Sequence, residues 1–363
     1  MIPVAEPSLG EEELNNVVEA IKSGWISSKG KFIPEFEEKL AAYCGTKYGV
    51  ATSNGTVALH LALATLEIKE GDEVVVPTLT FAATANAVIY TGAKPVLVDS
   101  APDYWCIDPE EIGKAVTPKT RAIMPVHLYG HPCDMDPIMD IANRHNLYII
   151  EDAAEAHGAE YKGRKVGSFA DIACFSFYGN KIITTGEGGM CLTNDESLAV
   201  KMRILRDHGM NPQKRYWHDV VGFNYRMTNM QAAVGVAQLN KLDKFVEKKR
   251  EVAGLYSSLL NSVEGVSLPP EMPWAKNVYW MYSILVQDSF GMDRDELMRR
   301  LELKGIETRP LLAPLHLMPP YKKSESIAVA EELASRGISL PSSVNLTAEQ
   351  TRYIANAIRG QKS

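Results

Sequence analysis

Lys181 stands between a run of apolar residues, Phe175 to Tyr178, and a glycine-rich turn, in the stretch FSFYGNKIITTGEGGM. A lysine held away from water gives up its proton more readily, and the neutral amine is a nucleophile that forms Schiff bases with aldehydes. Ser176, just upstream, is placed to bind a phosphate from a strand end, and the GEGG run lets the backbone pass close to a ligand. The ordinary reading of the same residues is a solvated lysine in a hairpin loop.

Three other constellations carry chemistry. In SNGTVALHLAL, which starts at Ser53, a strand ends, a small polar turn follows and a helix begins. The first amides of a helix lack internal partners and sit at the positive end of its dipole. Asn54, Gly55 and Thr56 therefore form either a phosphate seat or a plain helix cap. In LYIIEDAAEAHGA, Asp152 lies just past four apolar residues, at the carboxyl end of a buried strand, where open parallel sheets bind ligands. A carboxylate there needs a cation or good hydrogen bonds. A protonated ring nitrogen of a cofactor would serve, and so would the start of the next helix. Glu155 and His157 either reach the same mouth or face solvent. In GFNYRMTNMQAA, Asn224, Tyr225 and Arg226 precede a helix capped by Thr228 or Asn229, and Arg226 suits an acidic substrate or a phosphate. Singly each stretch is ambiguous. Together they supply a phosphate seat, a partner for a pyridinium nitrogen and a Schiff-base lysine, which are the needs of pyridoxal phosphate.

The elements around these residues must bring them to one place. KYGVATS, DEVVVPT, KPVLVD, TRAIMPVHLYG and NLYIIEDAAE read as strands, and GTVALHLALATL, FAATANAVIYTG and MDPIMDIANRHN as helices. Their alternation predicts an α/β fold with a mostly parallel sheet and helices on both faces. After Met227 the chain reads as one long helical arm, MTNMQAAVGVAQLNKLDKFVEKKREVAGLYSSLL, leading to a smaller α+β unit. In that unit NVYWMYSILV and GISLP are expected strands. DRDELMRRLELKG is an expected helix stopped by Gly305, and TAEQTRYIANAI a helix with a Thr347/Gln350 capping box. The division predicted is a large cofactor-binding domain, 1–245, and a small domain, 246–363.

At 363 residues two domains are expected. A net charge of −7 argues against nucleic acid, whose partners carry a basic face. The opening MIPVAEPSLGEEEL has neither a basic start nor an apolar core, so no signal peptide is expected. No apolar run reaches membrane-spanning length. Five scattered cysteines without metal-site spacing read as free thiols in a reducing compartment, so the cytoplasm is the expected location and no metal is expected.

The stretches SNGTVALHLAL, GDEVVVPTLTFAATANAV, PVHLYGHPCDMDPI, EDAAEAHGA, FSFYGNKIITTGEGGM and GFNYRMTNMQAA resemble the DegT/StrS family of nucleotide-sugar aminotransferases, of pyridoxal-phosphate fold type I. The resemblance implies a seven-stranded-type sheet sandwiched by helices, plus a smaller C-terminal α+β domain. It implies that Lys181 holds the cofactor and later moves a proton, and that Asp152 pairs with the ring nitrogen. Glu155 would lie near the ring hydroxyl and Phe81 would stack on the ring. Asn54, Gly55, Thr56 and Ser176 would hold the phosphate, with Asn224 reaching the phosphate of a neighbouring subunit in a shared-site homodimer. GWISSKGKFIPEFE, QKRYWHDVVGFNYRMTN and IETRPLLAPLHLMPPY narrow the resemblance to members that use L-glutamate to aminate the C-4 ketone of GDP-4-keto-6-deoxy-D-mannose, a step toward surface polysaccharide such as O-antigen. Trp25, Arg215, Arg309, His316 and Tyr321 are the candidates for the nucleotide sugar. Leu312 and Ala313 depart from that branch, which tends to aromatics there. Other readings are amination of a dTDP- or UDP-linked keto sugar, a sugar dehydratase, and a regulatory protein without catalysis. The dehydratases carry histidine where this chain has Lys181.

Overall fold

In the computed structural model, which describes residues 1–322 and 326–361, seven strands form the main sheet. They are β1 (Tyr48–Thr52), β2 (Glu73–Pro77), β3 (Lys94–Val98), β4 (Thr120–Ile123), β5 (Tyr148–Asp152), β6 (Ile172–Ser176) and β7 (Gly189–Thr193), in the order β1-β7-β6-β5-β4-β2-β3. Pairings from β6 through β5, β4 and β2 to β3 are parallel, whereas β7 runs antiparallel to both its neighbours. The fold is therefore the expected helix-sandwiched, mostly parallel sheet, and β1, β5 and β6 end at the same edge.

The strands are buried on both faces, as parallel sheets require. Alternate residues go to separate cores. Val75, Ile123, Ile149 and Ala173 join one hydrophobic cluster with Phe36, Leu40 and Val236. Val74, Val76, Ala122, Ile150 and Ile172 join another with Leu59, Leu61 and Leu63 from the helix Gly55–Thr65. That helix is apolar nearly all round because it lies under the sheet and is covered elsewhere. All five cysteines are free and buried.

A third core gathers Tyr256, Leu260, Tyr282, Ile284, Leu297, Ile338 and Ile354. It surrounds a four-stranded antiparallel sheet ordered Val266–Ser267, Tyr282–Val286, Gly337–Leu340, Arg309–Pro310. Helices Arg294–Glu302 and Ala348–Arg359 close it, the second with the Thr347/Gln350 capping box. The first residues of the chain also sit here: Ile2 bridges to Ile306, and the Val4 amide donates to Glu307 at 3.0 Å.

Four local expectations change. The strand expected over TRAIMPVHLYG ends at Ile123, and Leu128–Gly130 forms a short 3-10 turn with Tyr129 left-handed. The long arm is two helices, Asn229–Asn240 and Leu242–Leu260, broken at Lys241, whose φ of −103° and ψ of −3° interrupt the ladder. The strand before Lys181 stops at Ser176, so Phe177 and Tyr178 belong to the connection. The aromatic run at 277–286 is a strand only from Tyr282. Before that, Val278 donates its amide to the Gly130 carbonyl at 3.1 Å, and Tyr279 turns left-handed with φ 47°. Among the described residues no helix is long and apolar enough to cross a membrane.

Candidate active site

Asp152 is the last residue of β5 and is buried. Its Oδ2 accepts from Thr84 Oγ1 at 2.8 Å, and its Oδ1 from the Ala154 amide at 3.2 Å. Burial raises its pKa, while these two bonds and nearby Lys181 pull it down.

Lys181 follows β6 by five residues and is largely enclosed, its side chain 11% exposed, with its Nζ 3.6 Å from Glu155 Oε1. Burial lowers its pKa, and Glu155 and Asp152 oppose that. Burial likewise raises Glu155, against the pull of Lys181. The ion pair and the desolvation thus act in opposite directions, and for both groups the desolvation prevails. This leaves an amine whose proton is loosely held between two acids, which suits a lysine that must be both nucleophile and proton carrier.

Beside this cluster lies an anion seat. Asn54 caps the helix Gly55–Thr65 by accepting from the Val57 amide at 3.0 Å. The Gly55 and Thr56 amides have no protein acceptor among the described residues, so the first turn of the helix presents two donors. Ser176, at the end of β6, packs directly on Gly55. A Cβ at Gly55 would come within 2.7 Å of the Ser176 Cβ, so only glycine lets helix and strand end approach this closely. An anion seat, a buried acid at a strand end and a largely enclosed amine fit pyridoxal phosphate by the chemistry of their donors.

The remaining candidates lie around this centre in different ways. Phe81, on the loop after β2, is 62% exposed. His316 is buried beneath that loop, with Nδ1 2.8 Å from Thr78 Oγ1 and Nε2 3.0 Å from Glu331. Tyr321 donates to Asn86, two residues past Thr84 on the same helix. Trp25, Arg215 and Arg309 are exposed; Arg215 lies over Tyr216 and Arg309 reaches Glu307. The structure gives none of these three a contact with the Lys181 cluster. Asn224 is exposed too, and its backbone lies beside the anion seat: Ser53 donates to the Tyr225 carbonyl and Thr52 bridges to Arg226. Arg226 donates through Nε and Nη2 to Asn224 Oδ1, at 3.0 and 2.8 Å, and through Nη1 to Asp207 at 2.8 Å.

Several supporting residues had no signal in the sequence reading. Glu151, the neighbour of Asp152, points to the opposite face of the strand and is fully buried. It accepts from His127 Nε2 and from the amides of Gly167, Phe169 and Ala170. His127 in turn accepts the Cys133 amide on Nδ1 and donates its own amide to the Asp152 carbonyl at 3.1 Å, bracing the end of β5. Thr84 lies inside a helix whose pattern showed only packing. His157, expected at the site mouth or facing solvent, is instead fully buried between Phe175 and Phe177, and neither ring nitrogen has a hydrogen-bond partner.

The family model described as the DegT/DnrJ/EryC1/StrS aminotransferase family matches residues 7–359. A GDP-perosamine synthase of Caulobacter vibrioides is 50% identical over 358 residues, covering 98% of this chain and 96% of that protein. A GDP-perosamine synthase of Escherichia coli O157:H7 is also 50% identical, covering 98% and 97%. Among solved structures, DesV of S. venezuelae in complex with a ketimine intermediate superposes with a TM-score of 0.91 at 38% identity, over 96% of this chain and 94% of that one.

Proposed function

The chain belongs to the DegT/DnrJ/EryC1/StrS aminotransferase family and is a pyridoxal-phosphate-dependent sugar aminotransferase, and on that premise we propose its substrates and the roles of its residues. The donor is L-glutamate and the acceptor is the C-4 ketone of GDP-4-keto-6-deoxy-D-mannose, so that the products are 2-oxoglutarate and GDP-perosamine. Two GDP-perosamine synthases at 50% identity over nearly the whole chain support this choice of sugar.

The observation that carries the residue roles is the cluster of Lys181 with the buried acids Glu155 and Asp152 beside the free first-turn amides of the helix Gly55–Thr65. When bound, pyridoxal phosphate supplies an aldehyde for the amine and a ring that takes up an electron pair. The Gly55 and Thr56 amides and the Ser176 hydroxyl hold its phosphate, and Asn54 shapes that turn as the helix cap. Asp152, braced by Thr84 and by His127, accepts the ring N–H. Glu155 stands by the ring hydroxyl, and Phe81 covers the ring face from the loop after β2. Lys181 Nζ takes the proton from the α carbon of glutamate and, in the second half of the cycle, delivers a proton to C-4 of the sugar. Trp25, Arg215, Arg309 and Tyr321 are assigned to the nucleotide sugar. His316, buried on Thr78, acts there by fixing the loop that carries Phe81.

We assign the functional unit to a homodimer. Exposed apolar side chains, including Leu14, Val18, Ile21 and Trp25 on and after the first helix and Tyr216, Trp217 and Val221 near Asn224, support a second copy packed against them. Asn224 would then reach across to the phosphate of the other subunit. The large domain of 1–245 and small domain of 246–363 remain the proposed division, with the first residues attached to the small one.

The test offers keto-sugar nucleotides of GDP, dTDP and UDP with glutamate and follows 2-oxoglutarate. The GDP-linked 4-keto-6-deoxymannose is expected to turn over fastest; preference for a dTDP or UDP sugar would reassign the substrate. Lys181→Ala should lose activity by more than about a thousandfold, and a fully active variant would overturn the role of Lys181.

A further inference from the structure

Lys181 has a second neighbour that comes from the far end of the chain. The ring of Trp280 lies with its centroid 3.7 Å from Lys181 Nζ. The indole is 9% exposed and pinned: its Nε1 donates to the Asn180 carbonyl at 2.8 Å, and its ring stacks on Tyr129 at 6.1 Å with an interplanar angle of 13°. Tyr129 is itself held at both ends. Its amide donates to Glu155 Oε2 at 2.8 Å, and its phenol oxygen accepts the Leu312 amide at 2.9 Å.

The backbone is bent to make this arrangement. Tyr129 and Tyr279 both adopt left-handed conformations, φ 52° and 47°, which non-glycine residues take only when their surroundings enforce it. Gly130 lets the two segments meet, because a Cβ there would lie 2.9 Å from the Trp280 amide nitrogen. Strain and close approach are thus concentrated on placing one indole over one amine.

We propose that the face of Trp280, with the Glu155 carboxylate, is the seat that the Lys181 ammonium occupies whenever its nitrogen is not bonded to the cofactor, which makes Trp280 a positioning residue of the transamination cycle. The inference rests on Lys181 being the cofactor lysine. An amine set free in a dry site needs compensation for its charge. The carboxylate provides part of it, and the negative face of the indole provides the rest without a hydrogen bond that would have to be broken. The ring attracts the ammonium and has no such attraction for the neutral amine. The seat therefore holds the lysine while it is protonated and releases it as the proton leaves.

The test uses apoprotein of the wild type, Trp280→Phe and Trp280→Leu, each checked for an unchanged circular dichroism spectrum and melting temperature. Pyridoxal phosphate is added across a range of pH, and the rate at which the absorbance of the lysine–cofactor adduct appears is recorded. The rate follows the neutral amine, so its pH midpoint reports the ammonium. In Trp280→Leu the midpoint should fall by about one pH unit, and in Trp280→Phe, whose ring is a weaker partner, by less. A midpoint common to all three proteins, or shifted equally by Phe and Leu, overturns the seat. A wild type that forms no adduct overturns the cofactor-lysine reading and the seat with it.

Discussion

Thr84 donates its hydroxyl to Asp152 Oδ2 at 2.8 Å, and the Thr80 hydroxyl lies 2.9 Å from the Thr84 oxygen behind it. A helix one strand away thus fixes which oxygen of Asp152 is occupied and which way the carboxylate faces. Because burial already favours the protonated acid, each hydrogen bond to the anion counts in keeping it charged. Thr84→Val keeps the shape and removes that bond. A hydrogen bond to a charged group is worth about 1.5–3 kcal/mol. Pyridoxal phosphate affinity, measured by titrating apoprotein, should therefore weaken by about tenfold or more. Undiminished affinity in Thr84→Val would remove Asp152 from the role of ring-nitrogen partner.

Arg226 fixes Asn224 in a similar way. Its two bonds to Asn224 Oδ1 occupy the amide oxygen and leave the NH₂ group facing outward from an exposed position. If that group serves the neighbouring subunit, Lys181→Ala and Asn224→Ala proteins should each be nearly inactive alone. Mixed under conditions that exchange subunits, they should regain activity, because one site of each hybrid has both residues intact. Statistical exchange would restore about a quarter of the wild-type sites. A mixture as inactive as its components would place Asn224 outside a shared site.

The parts of the site legible in the sequence are those set by local rules. Asn54 and Asp152 announce themselves because a helix start and a strand end have short, repeatable signatures. Trp280 does not. Its alternating aromatic neighbours read as a strand, and only the approach of Gly130 to the 278–280 backbone shows that this segment turns inward toward Lys181. Glu151 was hidden for the opposite reason. Next to Asp152 it looks like part of the same acid pair, yet strand alternation sends it to the other face, where His127 and three amides surround it. The helical arm after Met227 carries continuous helical periodicity across Lys241, so no sequence signal marked the break.

Lys249 is buried in the helix Leu242–Leu260, where its Nζ donates to the Ser342 carbonyl at 2.5 Å. Burial pushes its pKa down to about 7. The unfolded chain keeps this proton up to about pH 10.4. Between those values the unfolded state binds more protons, so this lysine penalises folding most at and below pH 7 and less as pH rises. Lys249→Met should remove the dependence. From pH 7 to pH 9 the wild type should gain roughly 2–3 kcal/mol relative to Lys249→Met, at about 1.4 kcal/mol per pH unit. Urea unfolding of both proteins at the two pH values measures this, and equal changes in the two would show that Lys249 ionises freely in the fold.

His157 imposes the converse limit on the acid side. Enclosed by Phe175 and Phe177, with both nitrogens unpartnered, it has its pKa lowered to about 3 by burial and, to a smaller extent, by Lys181. The unfolded chain takes up this proton near pH 6.5. Above that value both states are neutral and the residue is silent; between pH 6.5 and 3 only the unfolded state is protonated, so stability falls as the solution is acidified. His157→Leu fills the space between the two rings and removes the titration. At pH 5 it should be more stable than the wild type by roughly 2 kcal/mol beyond any difference at pH 8. Unfolding curves that keep the same separation at pH 5 and pH 8 would mean that His157 finds a proton acceptor in the fold.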